Sequence, residues 1–184
     1  VSARCLDVLY HLFMSHDLNP NATTWHIAFG TYATRLHGDD RPTVDREHNQ
    51  PEQAFIQSDQ SRYEDQTSRL KDDPIYLAAP QRAVIESLVP AICDRGGWTY
   101  RICAAPLEGD HVHVLLDAKL SVEPDAIMMW LKRWLGQELS QRWGKPVTSW
   151  WAQCGSTKPV KDIKYLNNVF DYIRRQRTLP QGKI

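Results

Sequence analysis

Apolar and polar positions alternate along this chain with two periods, one helical and one of strands. Leu6, Leu9, Tyr10 and Phe13 recur at helical spacing between Cys5 and Met14 before Asn19-Pro20-Asn21 breaks the pattern, which predicts a short amphipathic helix. Trp25 to Thr34 concentrates aromatic and β-branched residues and predicts the first strand. Apolar residues then become scarce from Arg35 to Gln60, where Gly38-Asp39-Asp40-Arg41-Pro42 predicts a long polar loop. Ser61 to Lys71 has the composition of a polar helix, so the stretch from about 36 to 79 reads as a polar insertion.

The pattern sharpens beyond Pro80. Val84, Ile85, Leu88, Ala91 and Ile92 fall at helical intervals within Gln81 to Asp94, and Gly96-Gly97 supplies the glycine favoured just past a helix end. Thr99 to Ala105 and His111 to Asp117 read as two strands, joined by Pro106-Leu107-Glu108-Gly109-Asp110, a connection of hairpin length. Ser121 stands at a helix start, and Ala126 to Trp143 carries Ile127, Trp130, Leu131, Trp134 and Leu135 on one stripe until Gly144-Lys145-Pro146 stops it. Thr148 to Cys154 is the expected fourth strand, and Asp162 to Arg177 a last helix ended by Thr178-Leu179-Pro180. Strand, helix, strand, strand, helix, strand is the order of a split β-α-β-β-α-β, ferredoxin-like α+β fold, here with one added C-terminal helix. An antiparallel sheet backed by two helices keeps its second face for a site.

Composition narrows the class. A chain of 184 residues with 42% hydrophobic content predicts a single domain over 1–184. Its four cysteines, Cys5, Cys93, Cys103 and Cys154, form no C-x-x-C pair, which argues against a disulfide scaffold and against a cysteine zinc site. No segment approaches the roughly 20 apolar residues of a membrane span, and no basic segment precedes an apolar core at the N-terminus, so a cytoplasmic protein with no membrane partner is expected. The formal net charge is zero, unusual for a nucleic-acid binder. The charge is unevenly placed, however. Residues 1–92 hold 8 Lys/Arg against 13 Asp/Glu, net −5, and residues 93–184 hold 14 against 9, net +5. The basic half suits contact with phosphate.

That basic half also carries the candidate chemistry. In a strand, successive side chains point to opposite faces, so His111 and His113 of His111-Val112-His113-Val114-Leu115-Leu116 share one face and can grip one cation. The competing reading is a pair of solvated or hydrogen-bonded strand histidines. In the last helix Tyr172 and Gln176 lie one turn apart on one face, which joins a phenol nucleophile to an amide oxygen as a third neutral ligand. Among Ile163, Leu166, Phe170 and Ile173, a tyrosine also suits plain packing. Arg174, Arg175 and Arg177, with Lys158, Lys161 and Lys164, would form a phosphate track; cations at a helix C-terminus also simply suit its dipole. Trp150 and Trp151 offer base stacking, or core filling. Tyr165 is a second phenol on nearly the same helix face, but about 10 Å further along, so a cation held through Gln176 serves Tyr172.

Taken together these residues resemble the HUH single-tyrosine transposase family, where U is a hydrophobic residue, and especially its REP-associated branch. The resemblance runs from about Trp25 to Thr178: beyond the His111-Val112-His113 and Tyr172/Gln176 motifs, Thr31-Tyr32-Ala33-Thr34-Arg35-Leu36-His37-Gly38-Asp39 is similar to the family's first strand and adjoining loop, and Gly109-Asp110 to its approach to the histidines. It implies a single-stranded DNA endonuclease and strand transferase acting at a hairpin, as monomer or homodimer. His111, His113 and Gln176 would hold magnesium or manganese, with imidazole leaning toward manganese. Tyr172 would attack in line to give a 5′-phosphotyrosine, and since a phenol is mostly protonated at neutral pH, the metal or Arg175 must favour the phenolate. Two readings compete: a hairpin-DNA-binding protein without turnover, and a water-using metal phosphodiesterase in which Tyr172 only packs.

Overall fold

The computed structural model describes residues 17–36 and 59–178. The helix expected over Cys5–Met14 and most of the polar loop lie outside the described residues. Among the described residues four strands and four helices follow one another: β1 (Ala22–Thr31), α1 (Gln60–Ser68), α2 (Ala79–Gly96), β2 (Thr99–Ala104), β3 (His111–Lys119), α3 (Pro124–Trp143), β4 (Trp151–Val160) and α4 (Ile163–Gln176). The strands form one sheet in the order β2-β3-β1-β4, with every neighbouring pair antiparallel. This α+β architecture is compatible with the expected split arrangement.

Alternation along the central strands sorts the core into two layers. Ile27 and Phe29 of β1 and Val112, Val114 and Leu116 of β3 pack against α2 and α3, whose Ile85, Val89, Leu131 and Leu135 are fully buried. On the opposite face Ile102, Ala104, Leu115 and Val160 meet Leu166, Val169, Phe170 and Ile173 of α4. Each such side chain contributes about 1.5–3 kcal/mol on full burial, so four of them moor α4 across this face. Its start is set by Asp162, whose carboxylate accepts from the Tyr165 N–H at 2.7 Å. The second face is therefore partly covered, and a site there must lie beside α4.

Two boundaries differ from expectation. The fourth strand lies over Trp151–Val160 rather than Thr148–Cys154. Its Gly-Ser-Thr-Lys-Pro sequence lacks strand signals because it is an edge strand, where Pro159 needs no ladder partner on its open side. The register to β1 also shifts between Phe29 and Thr31. The first strand ends at Thr31 instead of Thr34, since Ala33 takes a positive φ of 58° and turns the chain. Trp150 and Trp151 are core residues, 9% and 6% exposed, with both indole N–H groups hydrogen-bonded, to Ser140 Oγ and the Lys132 carbonyl. Stacking on bases is not open to them in this arrangement. The C-terminal end of α2 is as expected, with Gly97 in the left-handed conformation at φ 69°. Helix α3 begins at Pro124, a residue suited to the first helical turn, and Ser121 does not cap it.

Candidate active site

His111 and His113 project from the α4 side of β3, opposite Val112 and Val114. Their partners across β1 are Gly30 and Ala28, two residues too small to fill the space above them. A cavity of about 260 Å³ opens there, lined by Ala28, Gly30, Arg35, His111, His113 and Tyr172 among others. Helix α4 brings Tyr172 down beside the histidines: its ring centroid is 5.3 Å from that of His113, edge-on at 77°, and the two imidazoles are 4.7 Å apart at 87°. Tyr172 thus meets histidines of its own chain, while the residue remains 41% exposed. Tyr165 is half-buried against the core beneath α4 and does not line the cavity.

Both imidazoles are held through Nδ1. The Asp110 carboxylate accepts a hydrogen bond from His111 Nδ1, and in the neutral ring this leaves Nε2 with a lone pair. Asp110 is 2% exposed and fixed from several sides. Its carbonyl accepts from the Thr31 N–H at 2.9 Å and from the hydroxyls of Thr31 and Thr34 at 3.1 and 3.2 Å. Its carboxylate is 3.2 Å from the Arg35 guanidinium. The preceding Gly109 has φ 70°, and a Cβ there would lie 2.6 Å from the Leu77 carbonyl oxygen, so this approach to the histidines admits only glycine without rearrangement. Burial by itself would raise the Asp110 carboxyl, but the hydrogen bond from His111 and the charges of His111 and Arg35 override it and bring the carboxyl down to about 2.

His113 is 7% exposed, and its Nδ1 lies 3.1 Å from Nε2 of His26 on β1. Burial, followed by the charges of His111, His26 and Arg35, lowers His113 to about 3. Burial and the Lys158 ammonium lower His26 to about 4. Both rings are therefore neutral at pH 7, the form in which imidazole binds cations. His26, Asp110 and Arg35 escaped the sequence reading. The alternation through Trp25-His26-Ile27-Ala28-Phe29 contains the signal for His26, because it sets His26 on the face opposite Ile27 and Phe29. Nothing in the spacing announced Arg35, which reaches the cavity through the turn at Ala33.

The remaining candidates are placed unequally. Gln176 is half-buried one turn beyond Tyr172 and is not among the residues lining the cavity, yet its Oε1 is buried without a hydrogen-bond partner among the described residues. His113 Nε2 is likewise buried and unpartnered. Unmet buried polar atoms cost about 1–3 kcal/mol each, and these two, an imidazole lone pair and an amide oxygen, are donors suited to a divalent cation. In donor chemistry these atoms suit a cation, while only His111 and His113 of the three expected ligands line the cavity. No group of three or more His, Cys, Asp and Glu residues among the described residues is placed to hold a metal.

Of the expected phosphate track, Arg174 pairs with Asp171 at 3.0 Å and Arg175 folds back onto the Asp171 carbonyl at 3.2 Å, both on the exposed side of α4. Arg177 turns inward, 9% exposed and 3.7 Å from the buried Glu86 carboxylate. It is a structural ion pair rather than part of an exposed track. Lys158, Lys161 and Lys164 are exposed, and Lys158 stands across from His26 on the site face. A larger cavity, about 1050 Å³ between α3 and residues 145–153, contains none of the histidines. The smaller one holds the reactive groups and is the candidate site.

No protein-family model matches the chain, and no curated protein matches it. The resemblance to HUH single-tyrosine transposases therefore rests on the residues themselves. Among the described residues no helix is long and apolar enough to cross a membrane.

Proposed function

We propose that this protein is a metal-dependent, single-stranded DNA strand-cleaving and strand-joining enzyme of the HUH single-tyrosine type, built on a ferredoxin-like core with α4 as the added helix. The observation that carries the reading is the seating of Tyr172 against His113 in a cavity shared with His111. Packing alone would bury the ring; instead it stands half-exposed over two neutral or anchored imidazoles. His111, His113 and Gln176 would hold magnesium or manganese, and the bound cation would supply Lewis-acid polarisation of the scissile phosphate. All three ligands are neutral, so its full charge remains available to that phosphate.

In this reading Tyr172 Oη attacks phosphorus in line. An oxygen–phosphorus bond forms to the phenol and the bond to the 3′-oxygen breaks, while the phenol proton passes to water on the exposed side of Tyr172 and the departing 3′-oxygen takes a proton from water. The product is a 5′-phosphotyrosine and a free 3′-hydroxyl, and attack by another 3′-hydroxyl reverses the step without external energy. Arg35, tethered by Asp110 at the cavity wall, would bind the non-bridging phosphate oxygens, a role that guanidinium geometry favours. Incubation with end-labelled hairpin single-stranded DNA and manganese, followed by denaturing electrophoresis, tests the proposal. A labelled band at the protein's mass that chelator abolishes is expected. Cleavage without an adduct would favour the water-using phosphodiesterase, and binding without cleavage a DNA-binding protein that does not turn over.

A further inference from the structure

His26 occupies a position that packing does not explain. It lies on the α4 side of β1, opposite Leu115 of β3 and Lys158 of β4. It is one diagonal step from His113, which is paired with Ala28. The two rings are 5.2 Å apart and inclined at 33°, and His26 Nε2 is 3.1 Å from His113 Nδ1. One proton serves that contact, so in the neutral rings there are two arrangements. If His26 donates, His113 must carry its own proton on Nε2, a buried atom with no acceptor among the described residues. If His113 donates from Nδ1, its Nε2 keeps a lone pair, and His26 is the acceptor.

We propose that His26 is a positioning residue that accepts the His113 Nδ1–H, holding His113 in the tautomer whose Nε2 lone pair is free to bind a cation. The purpose, though not the tautomer itself, rests on the metal reading given above. Asp110 does the same for His111 from the other side, again through Nδ1. Two ligands on one strand are thus aligned by two different residues, one anionic and one neutral. Partners of this kind fix both ring orientation and ligand basicity, and their loss typically weakens metal affinity about 10–100-fold.

The test uses the full chain with ¹⁵N-labelled histidine, first without metal. Long-range ¹H–¹⁵N correlation reports the tautomer of each ring, with His113 assigned by loss of its signals in His113→Gln. The wild type should show His113 protonated on Nδ1. Protonation on Nε2 would overturn the proposal whatever the variants do. Manganese titration is then compared for wild type, His26→Phe and His26→Gln, with thermal melts run alongside. His26→Phe should bind manganese about 10–100-fold more weakly, and His26→Gln, whose amide oxygen can still accept, should recover most of the loss. Equal affinity in folded His26→Phe and wild type would overturn the positioning role. Should His26→Phe fail to fold, the wild-type tautomer and the His26→Gln affinity decide the question. A wild type that binds no manganese yet shows the Nδ1–H tautomer would sink the metal reading while leaving the His26–His113 assignment intact.

Discussion

Replacing Asp110 with asparagine isolates the charge at the centre of the site. Asparagine has the same shape and an oxygen that still accepts from His111 Nδ1, but it cannot ionise. The hydrogen bond from His111 and the charges of His111 and Arg35 bring the aspartate down from 3.8 to about 2 despite its burial. That depression corresponds to about 2 kcal/mol of folding stability. Because the folded value lies below the unfolded one, the contribution is complete above about pH 4 and is lost as pH falls through about 2. Urea unfolding of wild type and Asp110→Asn at intervals from pH 7 to 2 measures the difference directly. It should be about 2 kcal/mol at pH 7 and shrink to a fraction of that by pH 2, where Asp110 is about half protonated in the folded state. A difference that is constant over this range, or absent at pH 7, would refute the electrostatic account of Asp110.

Three further outcomes follow from the same structure. His26 and His113 are lowered to about 4 and 3, so the unfolded chain takes up protons that the folded one refuses; stability should fall as pH drops from about 6.5 toward 4, by roughly 3 kcal/mol for His26 alone, and His26→Gln should flatten a denaturant-midpoint profile over that window. Arg177→Ala removes a cation from beside the buried Glu86 carboxylate and should cost about 3 kcal/mol, whereas Arg174→Ala breaks a surface pair worth under about 1 kcal/mol; chemical denaturation in the opposite order would contradict the inward placement of Arg177. Gly109→Ala should lose more than about 2 kcal/mol through strain and its collision with Leu77, while Gly144→Ala, also at positive φ but with open space around it, should lose less in the same thermal melts.

Much of this architecture is legible wherever burial follows a period. The alternation in β3 places His111 and His113 on one face, and the stripe Leu166, Val169, Phe170, Ile173 places α4 over that face, because each element buries one side against a partner. The edge strand β4 is less legible. Its pairing is decided by the neighbouring β1 rather than by its own composition, and a single bulge moves its register. Charge is the least legible quantity of all. Arg174 and Arg177 are three residues apart with the same side chain, yet one lies at the surface and the other on a buried carboxylate, a difference created by the chain turning off the helix at Arg177. His26 and Arg35 join the site through contacts across 75 or more residues, with His113 and Asp110 respectively, whereas Asp110 is the chain neighbour of His111 and bonds to it. Alternation gives the face of His26, but spacing along the chain names neither of these distant partners.

The central claim is that Tyr172 becomes covalently bonded to DNA, and the most direct measurement is fragmentation mass spectrometry of the adduct. Tyr165 and Tyr172 both lie between Lys164 and Arg174, so one tryptic peptide contains both phenols and only fragment ions separate them. After incubation with hairpin single-stranded DNA and manganese and nuclease trimming, the nucleotide mass should reside on Tyr172 in the wild type and in Tyr165→Phe, and no modified peptide should form in Tyr172→Phe. A nucleotide located on Tyr165, or an adduct that survives in Tyr172→Phe, would contradict the account.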